Sequence, residues 1–297
     1  MPSMPLMLPS RLPADWPHRE FSRSLRVGPL DWHVQVAGRG PVLLLLHGSG
    51  ASAHSWAGLL PALAEHATVV APDLPGHGFT TGATLASLTL PRITEALQAL
   101  LAALNLPAPV MVAGHSAGAA LALRWALTAA TPPRALVGFN PSLIAPPELY
   151  TRLLAPLLNP LATSAPVGWL LATVAARSGA IDRLLDSTKS VLSEPQRNCY
   201  RTLFRDPARV RGAMGFMAAA DLPALLGAGA RLPCQPSFVL GALDAWVPER
   251  PLRAVIERAF PAAEVQSWPG GHLLHEERGD EAAALILDTL RGMPKAR

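Results

Sequence analysis

A serine, an aspartate and a histidine stand near the predicted ends of β-strands in this 297-residue chain, where they could do covalent chemistry together. Ser116 lies in Gly114-His115-Ser116-Ala117-Gly118, between an apolar run and an Ala/Leu-rich stretch typical of a helix. Small residues on both sides of the serine permit the tight strand-to-helix turn that lifts a hydroxyl clear of a sheet. The pattern therefore predicts that Ser116 is a nucleophile.

A serine nucleophile needs a base, and the base needs an acid that orients it. Asp244 lies four residues after the predicted strand Ser237–Leu240, and His272 follows the last predicted strand in Pro269-Gly270-Gly271-His272. The chain order serine, aspartate, histidine is the order expected for this kind of turn. We therefore predict a catalytic triad of Ser116, Asp244 and His272, although Asp244 could also be a loop or capping carboxylate.

His275 is the alternative to His272 as the base, since it follows only three residues later. The glycines before His272 free its loop to bring an imidazole to the serine, which favours His272. His272, His275 and Glu276 also raise a metal site, but the order H-E-x-x-H and a third ligand at familiar spacing are missing. The sequence therefore predicts no metal and no organic cofactor.

The negative charge that forms when Ser116 attacks a carbonyl group needs about two backbone donors. One is the N–H of Ala117, next to the nucleophile. The second is expected from Ser49, in the Gly-rich turn His47-Gly48-Ser49-Gly50 after an apolar strand. A second Gly/Pro-rich loop contains Asp73 and His77, which we interpret as structural residues.

Short strands alternate with helical patterns along most of the chain, which predicts a doubly wound, mostly parallel sheet. The predicted strands are Leu30–Ala37, Val42–Leu46, Thr68–Ala71, Val110–Ala113, Ala135–Phe139, Ser237–Leu240 and Glu264–Trp268. The predicted helices include His54–His66, Leu90–Leu104, Leu252–Phe260 and Asp280–Leu290.

The alternation stops between the two halves of this pattern, which divides the chain into three parts. We predict an amino-terminal arm over residues 1–29, a core over 30–141 and 232–297, and a helical, proline-broken cap over 142–231. Such a cap would lie over the carboxyl ends of the strands, where open α/β sheets bind ligands.

The cap is apolar over Leu153–Ala176 and basic further on, where four arginines are spaced by four residues: Arg197, Arg201, Arg205 and Arg209. They could line a solvated helix face beside Glu194 and Asp206, or form a cationic rim around an apolar pocket for a carboxylate-bearing ligand such as a tetrapyrrole. Pro207 makes one continuous helix doubtful. The apolar half is compatible with a lid that faces the core or with one that touches a membrane.

The composition excludes several classes of protein. Hydrophobic residues make up 50% of the chain and charged residues 15%, which excludes an intrinsically disordered chain. Prolines break the longest apolar stretch, so no spanning helix is expected. The start lacks a secretory pattern, and Cys199 and Cys234 are too few for a disulfide framework. A net charge of +4 without a cluster of basic and aromatic residues argues against nucleic-acid binding. Since neither a spanning helix nor a secretory pattern is expected, we expect a cytoplasmic protein.

Taken together, these motifs resemble the α/β-hydrolase superfamily. The residues that carry the resemblance are His47-Gly48-Ser49-Gly50, Pro72-Asp73-Leu74-Pro75-Gly76-His77-Gly78, the turn at Ser116, Asp244 and Gly271-His272. The resemblance implies the α/β-hydrolase fold, with a helical cap inserted after the sixth strand. It also implies a serine hydrolase that cleaves an ester or related carbonyl bond of a small hydrophobic substrate through an acyl-enzyme. Epoxide hydrolases and haloalkane dehalogenases are disfavoured, because they use a carboxylate where this chain has Ser116.

Within that superfamily, longer stretches resemble the magnesium-chelatase accessory proteins of bacteriochlorophyll biosynthesis. These stretches are Asp15-Trp16-Pro17-His18-Arg19-Glu20, residues 43–52, residues 114–120 and His272-Leu273-Leu274-His275-Glu276-Glu277-Arg278. This resemblance implies magnesium-chelatase subunits as partners and a tetrapyrrole as the substrate or ligand. It leaves a second hypothesis open, in which the chain is a non-catalytic protein that binds the porphyrin or the chelatase on a hydrolase scaffold.

Overall fold

The computed structural model describes residues 12–144, 161, 163–177 and 179–293. This part of the chain contains an eight-stranded sheet with the strand order β1-β2-β4-β3-β5-β6-β7-β8. The strands are β1 (Ser22–Val27), β2 (Leu30–Ala37), β3 (Val42–Leu46), β4 (Thr68–Pro72), β5 (Met111–His115), β6 (Ala135–Phe139), β7 (Pro236–Gly241) and β8 (Glu264–Trp268).

The sheet is parallel from β4 through β3, β5, β6 and β7 to β8, while β1 and β2 add an antiparallel edge. The predicted mostly parallel, doubly wound sheet is therefore confirmed. Strand β1 is not among the predicted strands, and its segment Ser22–Val27 mixes arginines with apolar residues at a half-exposed edge. Edge strands carry a weaker hydrophobic pattern than strands that are covered on both faces.

Helices cover both faces of the sheet. The helices are α1 (Leu60–Ala64), α2 (Leu90–Ala103), α3 (Ala117–Thr128), α4 (Ala165–Arg177), α5 (Ala180–Ser187), α6 (Glu194–Phe204), α7 (Pro207–Ala218), α8 (Leu222–Gly227), α9 (Glu249–Ala259), α10 (Leu274–Glu277) and α11 (Gly279–Gly292). The predicted helix His54–His66 is shorter than expected, because a 3-10 turn at Ala53–Trp56 precedes α1.

The strand β3 shows why a continuous apolar run fits a central strand. Val42, Leu44 and Leu46 belong to one core with α2, α3, α8 and α9, whereas Leu43 and Leu45 belong to a second core with α1 and α11. Successive side chains of a strand point to opposite faces. A strand between two helical layers therefore has to be apolar at every position.

The helices α4 to α8 form the described part of the cap, between β6 and β7. Helix α6 ends at Phe204, and Asp206 accepts a hydrogen bond from the Ala208 N–H at the start of α7. The arginine row is therefore split between two helices, as Pro207 had suggested. Residues 145–160, which include the first third of the predicted apolar stretch Leu153–Ala176, lie outside the described residues. The predicted domain boundaries stay a prediction.

Candidate active site

Ser116 occupies the turn between β5 and α3 in an unusual backbone conformation, with φ 52° and ψ −118°. A side chain at Gly114 would place its Cβ 2.5 Å from the Gly118 carbonyl oxygen. One at Gly118 would lie 2.1 Å from the Leu46 carbonyl oxygen. The two glycines thus let the turn pack against β3 and α3, and Ser116 keeps 9% of its surface exposed.

The structure brings Ser116, His272 and Asp244 together from three different strand ends. The Ser116 Oγ is 3.1 Å from Nε2 of His272, and Nδ1 of His272 is 2.7 Å from Oδ2 of Asp244. The other Asp244 oxygen accepts the N–H groups of Trp246 and Val247, at 2.8 and 2.9 Å. A carboxylate can only accept hydrogen bonds, so Nδ1 of His272 carries the hydrogen. Its Nε2 is then free to accept a hydrogen bond from the Ser116 hydroxyl.

The backbone of His272 is held by two side chains that the sequence analysis did not assign to the site. Asn140 donates from Nδ2 to the carbonyl oxygens of Gly271 and His272, at 2.8 and 2.9 Å. Its Oδ1 accepts the N–H of Gly241, at 2.6 Å. The Nε2 of His115 makes a further hydrogen bond of 2.8 Å to the His272 carbonyl. The signal that could have found Asn140 is its position directly after β6, at the carboxyl edge of the sheet.

His275 lies beside the triad and not in it. Its ring stacks on His115 with ring centroids 4.3 Å apart, and it is completely buried next to Trp56 and Phe139. Burial and the neighbouring imidazoles hold the pKa of His275 well below its usual value, so its ring is neutral at pH 7. Within the described part of the chain, no cluster of three or more histidine, cysteine, aspartate or glutamate residues could hold a metal ion.

The turn that contains Ser49 lies directly against the nucleophile. A Cβ on Gly48 would be 3.2 Å from the Ser116 Cβ. Oγ of Ser49 donates to the carbonyl of Ala213 in α7 at 2.8 Å, which joins this turn to the cap. The hydrogen bonds of the described residues leave the backbone N–H groups of Ser49 and Ala117 without a protein acceptor. These are the two N–H groups that the sequence predicts as oxyanion donors.

His47 fixes the start of that turn. Its Nε2 accepts the Leu74 N–H at 2.9 Å, so its Nδ1 carries the hydrogen and donates to the Gly48 carbonyl at 2.8 Å. Burial lowers the pKa of His47 to about 3, which keeps the ring neutral and this pair of hydrogen bonds unchanged over the physiological range.

A second chain of serine, histidine and aspartate lies near the antiparallel edge of the sheet. Nε2 of His33 is 3.0 Å from the Ser22 Oγ, and Nδ1 of His33 is 2.7 Å from Oδ2 of Asp73. Asp73 also accepts the N–H groups of Ala53 and Phe79, both at 2.7 Å. Burial alone would raise the pKa of Asp73, but the facing His33, the nearby His47 and the Ala53 N–H lower it to about 2. All three side chains are inaccessible, so this chain of hydrogen bonds joins β1, β2 and the loop after β4.

The cap arginines contact acidic side chains of the cap. Arg197 pairs with Asp182 and Asp186, and Arg201 pairs with Asp182 and Glu194. Arg209 lies over the ring of Phe79, with its guanidinium carbon 4.6 Å from the ring centroid. These contacts favour the interpretation of a solvated, ion-paired helix face over that of a cationic rim.

A mostly parallel sheet with a helical cap, and with serine, histidine and aspartate meeting at the carboxyl edge, defines the α/β-hydrolase class. The chain belongs to the alpha/beta hydrolase family, whose model matches residues 43–285. The resemblance seen in the sequence is thereby confirmed at the level of the superfamily.

The chain is also similar to individual proteins and to solved structures. The chain is 38% identical over 293 residues to the magnesium-chelatase 30 kDa subunit of Rhodobacter capsulatus. This match covers 96% of this chain and 100% of that protein. It is 29% identical over 276 residues to the pimeloyl-[acyl-carrier protein] methyl ester esterase of Xanthomonas campestris, over 88% of this chain and 100% of the esterase. A mutant form of the epoxide hydrolase from Solanum tuberosum shares the fold, with a TM-score of 0.72 at 22% identity over 91% of this chain and 98% of that one.

Proposed function

We propose that this protein is a serine hydrolase that cleaves an ester or related carbonyl bond of a hydrophobic substrate. The observation that carries the proposal is the continuous hydrogen-bonded path from the Ser116 hydroxyl through His272 to Asp244 at the strand-to-helix turn. Two backbone N–H groups next to that turn, those of Ser49 and Ala117, would stabilise the oxyanion.

In the proposed reaction, the Ser116 Oγ attacks the carbonyl carbon while its proton moves to Nε2 of His272. Asp244 holds the ring and stabilises the imidazolium that forms. The tetrahedral intermediate collapses when His272 gives that proton to the leaving oxygen, which leaves an acyl-enzyme on Ser116. A water molecule, deprotonated by His272, then attacks the acyl carbon. His272 returns that proton to the Ser116 Oγ as the acid leaves, which restores the free serine.

The relatives support a substrate class for this reaction. The similar protein from Rhodobacter capsulatus is named as a magnesium-chelatase subunit, and the Xanthomonas relative is a methyl ester esterase. We therefore propose that the protein is a cytoplasmic accessory to magnesium chelatase in bacteriochlorophyll biosynthesis, with chelatase subunits as partners and a tetrapyrrole ester as a candidate substrate. Chemistry of the epoxide hydrolase type is not proposed, because the nucleophile position holds Ser116.

A peripheral contact between the cap and a membrane is part of the same proposal. On helix α4 the side chains of Trp169, Leu170, Leu171 and Val174 are exposed, Trp169 by 62%. No helix among the described residues is both long enough and apolar enough to cross a membrane. An exposed apolar helix face is typical of surface attachment.

The second candidate function is binding without catalysis, which the name of the Rhodobacter relative favours. The two are separated by measuring hydrolysis of aryl and methyl esters, and stimulation of magnesium insertion by the chelatase, with the wild type, Ser116→Ala and His272→Ala. His66→Ala serves as the control because His66 is exposed and is not part of the site. The hydrolase proposal predicts ester cleavage that only Ser116→Ala and His272→Ala abolish. Absence of cleavage, with full chelatase stimulation by Ser116→Ala, would support the binding protein instead.

A further inference from the structure

The four residues Ser187–Ser190, which we call the cap strap, run from the end of α5 along the loop that carries His272. The N–H of His272 donates to the carbonyl of Thr188 at 2.9 Å. The next N–H, that of Leu273, donates to the Ser190 Oγ at 2.8 Å. Two successive backbone donors of the histidine loop therefore end on the cap and not on the core.

The contact between strap and loop is one of backbone against backbone. A Cβ on Gly271 would lie 2.3 Å from the carbonyl carbon of Lys189 and 2.4 Å from the Ser190 nitrogen. Real Cβ atoms do not approach other atoms so closely, so a glycine is required for the strap to reach the loop. This gives Gly271 a role that differs from the flexibility expected from the sequence.

The strap is held in its own shape by a tight turn. Lys189 has φ 61°, a left-handed conformation that few residues other than glycine adopt. The Thr188 Oγ1 donates to the Leu185 carbonyl at 2.5 Å and accepts the Ser190 N–H at 3.2 Å. Thr188 and Ser190 are both buried, whereas Lys189 between them is exposed. The surrounding contacts thus maintain a conformation that is costly by itself.

A third link runs through Trp246. Its Nε1 donates to the Ser187 Oγ at 3.0 Å, and its backbone N–H donates to Asp244. Its ring is tilted by 33° against the ring of His272, with the centroids 5.3 Å apart. The cap strap therefore contacts the histidine loop directly and also reaches, through Trp246, both the acid and the imidazole.

We propose that Thr188 and Ser190 are positioning residues that align His272 with Ser116 and Asp244 only while the cap strap is seated on the histidine loop. The inference rests on the proposed hydrolase function. The core holds the His272 carbonyl through Asn140 and His115, and the cap holds the adjacent N–H groups, so the histidine backbone is clamped from both sides. A ligand or partner that lifts the cap would remove one half of that clamp. Small displacements of a catalytic group cost much of the rate.

The first test compares Ser190→Ala with Thr173→Ala in the full-length protein. Ser190→Ala leaves the buried Leu273 N–H without its acceptor, whereas Thr173→Ala removes a cap hydroxyl that donates to the Trp169 carbonyl within α4. The rate at which a fluorophosphonate labels Ser116 should fall roughly three- to tenfold in Ser190→Ala and stay unchanged in Thr173→Ala, since one net hydrogen bond is lost. Ser190→Thr keeps the acceptor oxygen and should recover the rate.

A second measurement does not depend on hydrolysis. The Nδ1 proton of His272, bound to Asp244, is followed by NMR through its exchange with solvent in the wild type and the same variants. We expect faster exchange in Ser190→Ala alone. If exchange is faster in Ser190→Ala but the fluorophosphonate does not label even the wild type, the positioning role is upheld and the hydrolase proposal is refuted. Equal labelling and equal exchange in Ser190→Ala and Thr173→Ala would overturn the positioning role, whatever the activity of the wild type.

Discussion

Ser116 and Ser22 each begin a chain of serine, histidine and aspartate with similar distances. In the first the serine to histidine distance is 3.1 Å and in the second it is 3.0 Å. Ser22 lies in an antiparallel strand with 1% of its surface exposed, whereas Ser116 lies on a strained turn with unpaired N–H groups beside it. The greater exposure of Ser116 and the unpaired N–H groups beside it, more than the hydrogen bonds from serine to histidine to aspartate, distinguish the proposed nucleophile from the structural serine.

The role of Asp244 predicts the effect of Asp244→Asn. The amide would present a donor to Nδ1 of His272, so the ring would have to hold its hydrogen on Nε2 and could no longer accept the serine proton. We expect a loss of about 10³- to 10⁴-fold in the rate of Ser116 labelling or ester cleavage. Asp221→Asn is the matched control, because Asp221 accepts the Ala224 N–H at the start of α8, away from the site. Equal rates in both variants would refute the role of Asp244.

Glu276 predicts a pH dependence of stability. Its side chain is buried and accepts the Tyr200 hydroxyl, and burial raises its pKa from an ordinary value of 4.5 to about 8. At a pH between 4.5 and about 8, Glu276 is ionised in the unfolded chain but keeps its proton in the folded protein. The free energy of unfolding should therefore decrease with rising pH by up to about 1.4 kcal/mol per unit from this group.

Glu276→Gln keeps an acceptor for Tyr200 and removes the titration. Its stability relative to the wild type should increase from pH 5 to pH 8 in urea unfolding. Glu257→Gln, a change at an exposed position in α9, should follow the wild type at every pH. A constant difference between Glu276→Gln and the wild type would show that Glu276 is already ionised in the folded protein.

At the scale of elements, the sequence predicted what depends on local pattern. The apolar run Val42–Leu46 fits only a buried strand, and the glycines around Ser116 are required by a tight turn. The antiparallel strand β1 was missed because its edge position demands little hydrophobic pattern. The roles of Asn140 and of the cap strap were also missed, since they arise from contacts with the distant histidine loop that no spacing along the chain encodes.

Helix α7 packs closely against the core at Gly212, which predicts the effect of a larger side chain at this position on stability. A Cβ on Gly212 would lie 1.9 Å from the Gly76 carbonyl oxygen, so Gly212→Ala should push the cap away from the loop after β4. We expect a loss of about 1–3 kcal/mol of unfolding free energy. Gly227→Ala is the control, because nothing lies within 4 Å of its Cβ, and this change should be neutral or slightly stabilising. Calorimetry that finds both variants equally stable would contradict this close packing.

At the scale of the whole molecule, the cap has two faces with different surroundings. Its inner side carries Ala213 against Ser49 and the strap against His272, while α4 leaves apolar side chains exposed outside. The proposed contact with a membrane assigns the outer side to lipid and the inner side to the triad. The two sides should therefore respond independently to substitution.

A double substitution tests this division. Trp169→Asp with Leu170→Asp should reduce sedimentation with anionic phospholipid vesicles several-fold, because two exposed apolar side chains become charged. The labelling rate of Ser116 should stay within twofold of the wild type, which also shows that the variant is folded. Undiminished vesicle binding would place the membrane contact elsewhere or refute it.

The central claim is that Ser116 is an activated nucleophile, and intact-mass spectrometry with a small dialkyl fluorophosphate tests it most directly. We predict a single adduct on the wild type that peptide mapping assigns to Ser116. It should be absent from Ser116→Ala and strongly slowed in His272→Ala, while His66→Ala reacts like the wild type. A folded wild type that forms no adduct, or an adduct that persists in Ser116→Ala, would contradict the account.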